Sequence, residues 1–171
     1  MFEQTLFIIK PDGMKMERQI IDILKKAGLY NVVKFKILIA TREQILAHYG
    51  YENNEPWLLK RGKKFINWRL SQNLPIEKSQ LEYGQEIADQ IMTYMTSGKI
   101  KIIILAGENI IQRVRDIIGD ADSAQAQPGT IRSLSKDSYH LARLENRAMG
   151  NLAHASNSQK AAAQEIKIWF D

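Results

Sequence analysis

The sequence predicts a single α/β domain: an α+β sandwich with a ferredoxin-like βαββαβ antiparallel sheet covered by helices. Three observations predict it. Short runs of β-branched and aromatic residues alternate with amphipathic stretches, the pattern of strands and helices packed in layers. Gly28, Gly98 and Gly119 close the amphipathic stretches. A chain of 171 residues suits one core.

The elements follow in order. Residues 5–10 (TLFIIK) read as the first strand, ended by the turn signal Pro11-Asp12-Gly13. Residues 17–27 place Ile20, Ile21, Leu24 and Ala27 on one helical face. Lys25 and Lys26 suit the negative end of that helix, and Gly28 suits the residue after it. Residues 32–40 read as a second strand. Thr41 and Gln44 have capping-box spacing, which opens a short helix to about Tyr49.

Residues 50–83 give no clear assignment. They hold Pro56, Trp57, Trp68 and Pro75, with a basic cluster of Lys60, Arg61, Lys63 and Lys64. From Gln85 the pattern returns: Ile87, Ile91 and Met95 recur at four-residue spacing to a helix end at Gly98. Residues 99–106 read as a strand whose isoleucine run implies burial on both faces. A helix is expected at 109–118, a polar loop at 120–130, a helix near 139–148 and a short strand at 151–156. Ser158 N-caps a last helix to Phe170. The order reduces to β-α-β-β-α-β with additional helices. With no internal repeat and no linker-like stretch, residues 1–171 are expected to form one domain.

Composition excludes several classes of function. The chain has no cysteine, so disulfides, thiolate zinc sites and thiol nucleophiles are ruled out. No apolar run approaches the length of a membrane span, and residues 1–5 do not resemble a secretory signal. A cytoplasmic protein with no membrane partner is expected. The net charge of +5 favours anionic partners, among them nucleotides and nucleic acid. No nucleic-acid-binding motif is present, so nucleic acid ranks last among them.

Candidate chemical groups are few. Without cysteine, the nucleophile candidates are His48, His140 and His154, because a neutral imidazole nitrogen can accept a phosphoryl group. His48 and His140 read as surface or hydrogen-bonded histidines. His154 has different company: small neighbours Ala153 and Ala155, then Ser156 and Ser158, then a helix carrying Glu165. That carboxylate can fold back to orient the ring. A lone histidine in a short strand is more often structural, and spacing leaves both readings open. Lys10, Arg115 and Arg132 are candidate phosphate ligands, each equally readable as a solvated surface charge. No P-loop or dinucleotide fingerprint occurs. Trp57 reads either as a core aromatic or as a platform for a base.

Together the motifs say more. They are Lys10-Pro11-Asp12-Gly13, His48-Tyr49 with Pro56-Trp57, Pro128-Gly129-Thr130-Ile131-Arg132, Asn151-x-x-His154-x-Ser156-x-Ser158, and Glu165 with Trp169-Phe170. In that order they resemble the nucleoside diphosphate kinase family, in a long form. The resemblance spans nearly the whole chain, with insertions at about 58–92 and 133–147. It implies a ping-pong phosphotransferase that works through a phosphohistidine. By the same resemblance His154 would be the nucleophile and Glu165 its orienting group, with Ser156 and Tyr49 near the ring. Arg115 and Arg132 would hold phosphates, Lys10 and Asn151 would bond the sugar hydroxyls, and Trp57 would stack on the base. Mg²⁺ would arrive on the nucleotide phosphates, with no metal held by side chains. A homo-oligomer, hexamer or tetramer built of dimers, is implied.

Four positions depart from the family pattern. Ala121 stands where a threonine donates to phosphate, a loss of roughly 1 kcal/mol of binding or more. Asn157 replaces an aspartate that lies near the metal, Ala155 replaces a glycine, and Met16-Glu17-Arg18 shortens a longer stretch. Ala121 and Asn157 motivate a second reading, a nucleotide-binding member with lost or reduced turnover. The 58–92 insertion reads as a solvated helical excursion, and its Trp68 and basic cluster leave open a lid, a subunit contact or a patch for anionic surfaces.

Overall fold

A computed structural model describes residues 2–49 and 55–171. Its strands are β1 (Phe2–Ile9), β2 (Val32–Ile39), β3 (Lys99–Glu108) and β4 (Ala153–Ala155). Its α-helices are α1 (Glu17–Lys26), α2 (Arg42–Tyr49), α3 (Glu55–Ser71), α4 (Gln80–Thr96), α5 (Ile110–Ile118), α6 (Tyr139–Leu144) and α7 (Gln159–Phe170). The strands form one sheet in the order β2-β3-β1-β4, antiparallel throughout. This is the ferredoxin-like arrangement the sequence predicts.

Alternation along the strands feeds two cores. Phe7, Ile9, Ile103 and Leu105 face α1 and α5. Leu6, Ile8, Ile100 and Ile102 face α2, α4 and α7, with Trp169 wholly buried among them. The central strands are therefore covered on both sides, as the isoleucine run implies. Thr41 and Gln44 form the expected reciprocal cap of α2, with Gln44 N–H to Thr41 Oγ1 at 3.2 Å and Thr41 N–H to Gln44 Oε1 at 3.0 Å. Ser158 caps α7 as expected.

The structure corrects the reading of residues 55–98; residues 50–54 of that stretch lie outside the described residues. Residues 55–71 form α3, and α4 starts at Gln80, five residues earlier than its apolar spacing suggests. Ser79 and Glu82 make a complete capping box there. The two helices form a hairpin in backbone contact: a Cβ on Gly62 would lie 1.7 Å from Gln80 O, and one on Gly84 would lie 2.2 Å from Leu58 O. Leu58, Ala88, Met92 and Met95 join the core, so the insertion packs on the sheet and is not a solvated excursion. The last elements are shorter than expected, with α6 ending at Leu144 and β4 confined to three residues.

The second insertion is joined to the first. Trp68 Nε1 donates to His140 Nδ1 at 3.4 Å, Arg143 lies 5.4 Å from the Trp68 ring centre, and Gln90 donates to Asn146 at 2.9 Å. These contacts close one side of a cavity above β1 and β4.

Candidate active site

Strand register sets the centre of this site. His154 lies opposite Ile8 in the β1–β4 ladder, so its imidazole shares the sheet face that carries α2, α4 and α7. Ala153 and Ala155 point to the other face. On α7, Glu165 and Trp169 are four residues apart and lie on one side of the helix. Glu165 Oε2 is 3.0 Å from His154 Nε2 and accepts a hydrogen bond from Ser156 Oγ at 2.7 Å. Ser156 Oγ also accepts from Leu6 N–H at 3.2 Å, which ties the group to β1. Burial opposes ionisation of Glu165, but the hydrogen bond and charge of His154 outweigh it and hold the carboxyl below its usual range. An ionised carboxylate accepts only. It therefore holds the proton on His154 Nε2 and leaves the lone pair on Nδ1.

His48 closes the ring cluster. Its ring centre is 4.7 Å from that of His154, edge to face. Trp169 Nε1 donates to His48 Nδ1 at 3.1 Å. Burial first, then the neighbouring His154, push the His48 pKa down to about 3, so the ring stays neutral. The sequence reading of a hydrogen-bonded histidine holds, but it does not anticipate the contact with His154. His48, His154 and Glu165 offer ligand atoms within 4.8 Å of one another. A resident metal does not fit them. Indole can only donate, so the His48 Nδ1 lone pair is used and Nε2 carries the proton.

His154 opens on a cavity of about 560 Å³. Lys10, Tyr49, Arg132 and Asn151 line it on the sheet side, and Arg61, Lys64, Tyr94, Arg143 and Arg147 line it on the helical side. Lys10 Nζ donates to Asn151 Oδ1 at 2.6 Å, and Asn151 Nδ2 donates to Ala121 O at 2.9 Å. Burial, then the charge of Arg132, lower the Lys10 pKa to about 7, against the opposing effect of Asp12. Arg132 donates to Gly119 O and to Ala153 O, both at 3.1 Å, and so pins the loop after α5 to β4. Burial pushes the Tyr49 hydroxyl well above its usual range, so it remains a donor.

A strained turn presents these groups. Leu152 has φ of +67°, rare for a residue with a Cβ, and Ala153 N–H reaches back to Asn151 O at 2.7 Å. The Lys10-Pro11-Asp12-Gly13 turn holds it in place. Asp12 Oδ2 accepts from Leu152 N–H at 3.1 Å, Asp12 Oδ1 accepts from the Tyr94 hydroxyl, and Lys10 N–H donates to Leu152 O at 2.8 Å. Gly13 is required there, since a Cβ would fall 2.3 Å from Leu152 O.

The model of the family described as nucleoside diphosphate kinase matches residues 3–67 and 67–171. The chain belongs to the nucleoside diphosphate kinase family. A nucleoside diphosphate kinase of Pyrobaculum aerophilum is 36% identical over 98% of this chain and 94% of its own. One of Streptococcus agalactiae is 27% identical over 99% of both chains. The crystal structure of an NDP kinase from P. aerophilum superposes with a TM-score of 0.91 at 35% identity, covering 100% of this chain and 97% of that one. The activity is that of the family, phosphoryl transfer from a nucleoside triphosphate to a nucleoside diphosphate.

Set against this family, the structure gathers His154, Tyr49, Lys10, Arg132 and Asn151 around one cavity, with Glu165 and Ser156 behind the histidine. It does not bring Arg115 or Trp57 onto the cavity wall. Arg115 is exposed on α5, near enough to Arg132 to depress its pKa after burial has done so. Trp57 is half-buried in α3 with the Arg61 guanidinium 4.9 Å from its ring centre. Asn157 is exposed and also off the wall. Sequence reasoning assigned no role to Arg61, Lys64, Tyr94, Arg143 or Arg147, which lie outside every motif. The basic cluster at 60–64 was the one signal pointing to two of them.

Proposed function

We propose that His154 carries the phosphoryl group between two nucleotides. The observation that supports this most is the ionised Glu165 on His154 Nε2, which leaves Nδ1 as the nucleophile in a cavity rich in cations. In the first half-reaction Nδ1 bonds to the γ-phosphorus, and the P–O bond to the β-phosphate breaks. The diphosphate leaves with that electron pair. In the second half-reaction a terminal phosphate oxygen of a new diphosphate attacks, and the N–P bond breaks back to Nδ1. Donor and acceptor use one site in turn. Glu165 stabilises the positive charge on the substituted ring, and Ser156 holds Glu165. Arg132 and Tyr49 present donors to the phosphates, and Lys10 and Asn151 do so to the sugar. Arg115 and Trp57 would join them only through closure on bound nucleotide. The test is transfer from ATP to GDP by the purified chain, with saturation kinetics that give parallel lines in double-reciprocal plots.

The donor set fits Mg²⁺ carried by the substrate. Asp120 is the one carboxylate on the cavity wall among the described residues, too few for a cage of protein oxygens. Asp120 would meet the hydration shell of an ion bound to nucleotide phosphates, and that ion supplies neutralisation of phosphate charge.

Lys10 makes nucleotide binding pH-dependent. It is neutral above about pH 7 in the folded protein, while an unfolded lysine keeps its proton to about pH 10. Between those values the unfolded state binds more protons, so the stability of the ligand-free protein rises with pH there. Phosphate anions near Lys10, Arg132 and Arg61 favour the lysine cation. ADP binding at pH 8 is therefore expected to take up a proton, and binding at pH 6 is not. Calorimetry in buffers of different ionisation enthalpy reads this directly. Uptake that persists in Lys10→Met would contradict the assignment.

The chain is read as one domain over 1–171 and as a subunit of a homo-oligomer assembled from dimers. Phe35, Ile37 and Ile39 support the second point: each is about half exposed, and alternation places them on one face of edge strand β2. A second copy would cover them. Light scattering is expected to give a mass above that of one chain, and Phe35→Lys is expected to lower it. No described helix is long and apolar enough to cross a membrane. A cytoplasmic location is proposed from composition alone.

A further inference from the structure

We propose that Arg61, on the insertion helix α3, is a phosphate-binding residue of this chain. The proposal rests on the nucleotide reading above and adds a ligand that none of the family motifs contains. Three of the six lysines and arginines on the cavity wall already hold acceptors: Lys10, Arg132 and Arg147. Lys10 is bonded to Asn151, and both Nη atoms of Arg132 hold backbone carbonyls, which leaves its buried Nε without a protein partner. Arg147 is doubly bonded to Asp137 and paired with Glu145. Arg143 lies over the rings of Trp68 and Tyr139. Arg61, Lys64 and Arg143 line the cavity with no hydrogen-bond acceptor or carboxylate partner among the described residues, and of these three Arg61 is the one whose charge acts on both Lys10 and Tyr49.

The guanidinium is also held in place. Its Cζ lies 4.9 Å from the Trp57 ring centre, a cation–π contact that uses none of its N–H donors. The next residue is Gly62, where α3 touches the backbone of α4, so the helix cannot slide without breaking that contact. Arg61 is near enough to add to the lowering of the Lys10 pKa, after burial and Arg132, and to lower that of Tyr49 against the effect of burial. It shares the cavity wall with that lysine, that tyrosine and His154. A planar cation there matches the phosphate chain of a nucleoside di- or triphosphate, which it can bond in two places.

The test uses Arg61→Gln and Arg61→Lys in the full chain, with circular dichroism melting to check the fold. Two quantities are read: KM for ADP, and competitive inhibition by tripolyphosphate, which has neither base nor sugar. In Arg61→Gln both constants are expected to rise about tenfold, with kcat within about threefold of the parent. Arg61→Lys is expected to recover part of the loss. An unchanged KM for ADP overturns the proposal. So does a raised KM with unchanged tripolyphosphate inhibition, or no such inhibition in the parent, because either would mean that Arg61 only supports Trp57. Failure of the histidine reading would appear separately, as turnover surviving the loss of His154.

Discussion

Replacing His154 with alanine is expected to lower ATP-to-GDP transfer by at least about four orders of magnitude, a size typical of losing a nucleophile that acts as part of a unit. The reason is local. Nδ1 of this ring is the proposed nucleophile, on a histidine that strand register puts at the cavity and whose Nε2 is held by Glu165. Nucleotide binding is expected to persist within a few-fold, since Lys10, Tyr49, Arg132 and Asn151 remain. Removing the ring does not open the core, because His154 is only partly buried. Steady-state kinetics and calorimetry on one preparation separate the two effects. Retained turnover would move the chemistry elsewhere, and loss of both would indicate misfolding.

The second large effect is expected for Glu165→Gln. The substitution keeps size and hydrogen bonding but loses the charge. An amide can donate to Nε2 as well as accept from it, so the ring is free to place its proton on Nδ1, where it blocks attack. The carboxylate's stabilisation of the substituted ring is lost too. By analogy with the carboxylate-to-amide change in a catalytic triad, the phosphorylation half-reaction is expected to slow by about 10²- to 10⁴-fold. KM should change little, because Glu165 lies behind the histidine and not on the cavity wall. Rapid-quench measurement of phosphoenzyme formation is the direct readout. An unchanged rate would mean that Glu165 only packs.

Much of the fold is legible because it follows from local rules. β1 and β3 stand out as dense apolar runs, and the caps at Thr41 and Ser158 mark where α2 and α7 begin. The Ser79–Glu82 box also marks the start of α4, but the apolar spacing from Ile87 onward points to a later start. α3 is harder. Gly62 lies inside it because of a backbone contact with Gln80 that no local pattern encodes. The site divides in the same way. His154, Glu165, Lys10 and Arg132 sit in short motifs whose company signals chemistry. His48 meets Trp169 across 121 positions, and Arg61 reaches the cavity only because the helical hairpin folds over the sheet. Neither fact leaves a trace in neighbouring residues. Trp57 and Arg115 show the converse: a motif position does not by itself put a side chain on the cavity wall.

The central claim is that His154 Nδ1 carries the phosphoryl group. The measurement that tests it most directly is incubation with γ-labelled ATP and Mg²⁺, followed by mapping of the label and a chase with GDP. The account predicts an acid-labile, base-stable phosphate on Nδ1 of His154, absent from His154→Ala and discharged into GTP. Label on another residue, or no label on folded protein that binds nucleotide, would contradict it and favour a binding member of the family with lost turnover.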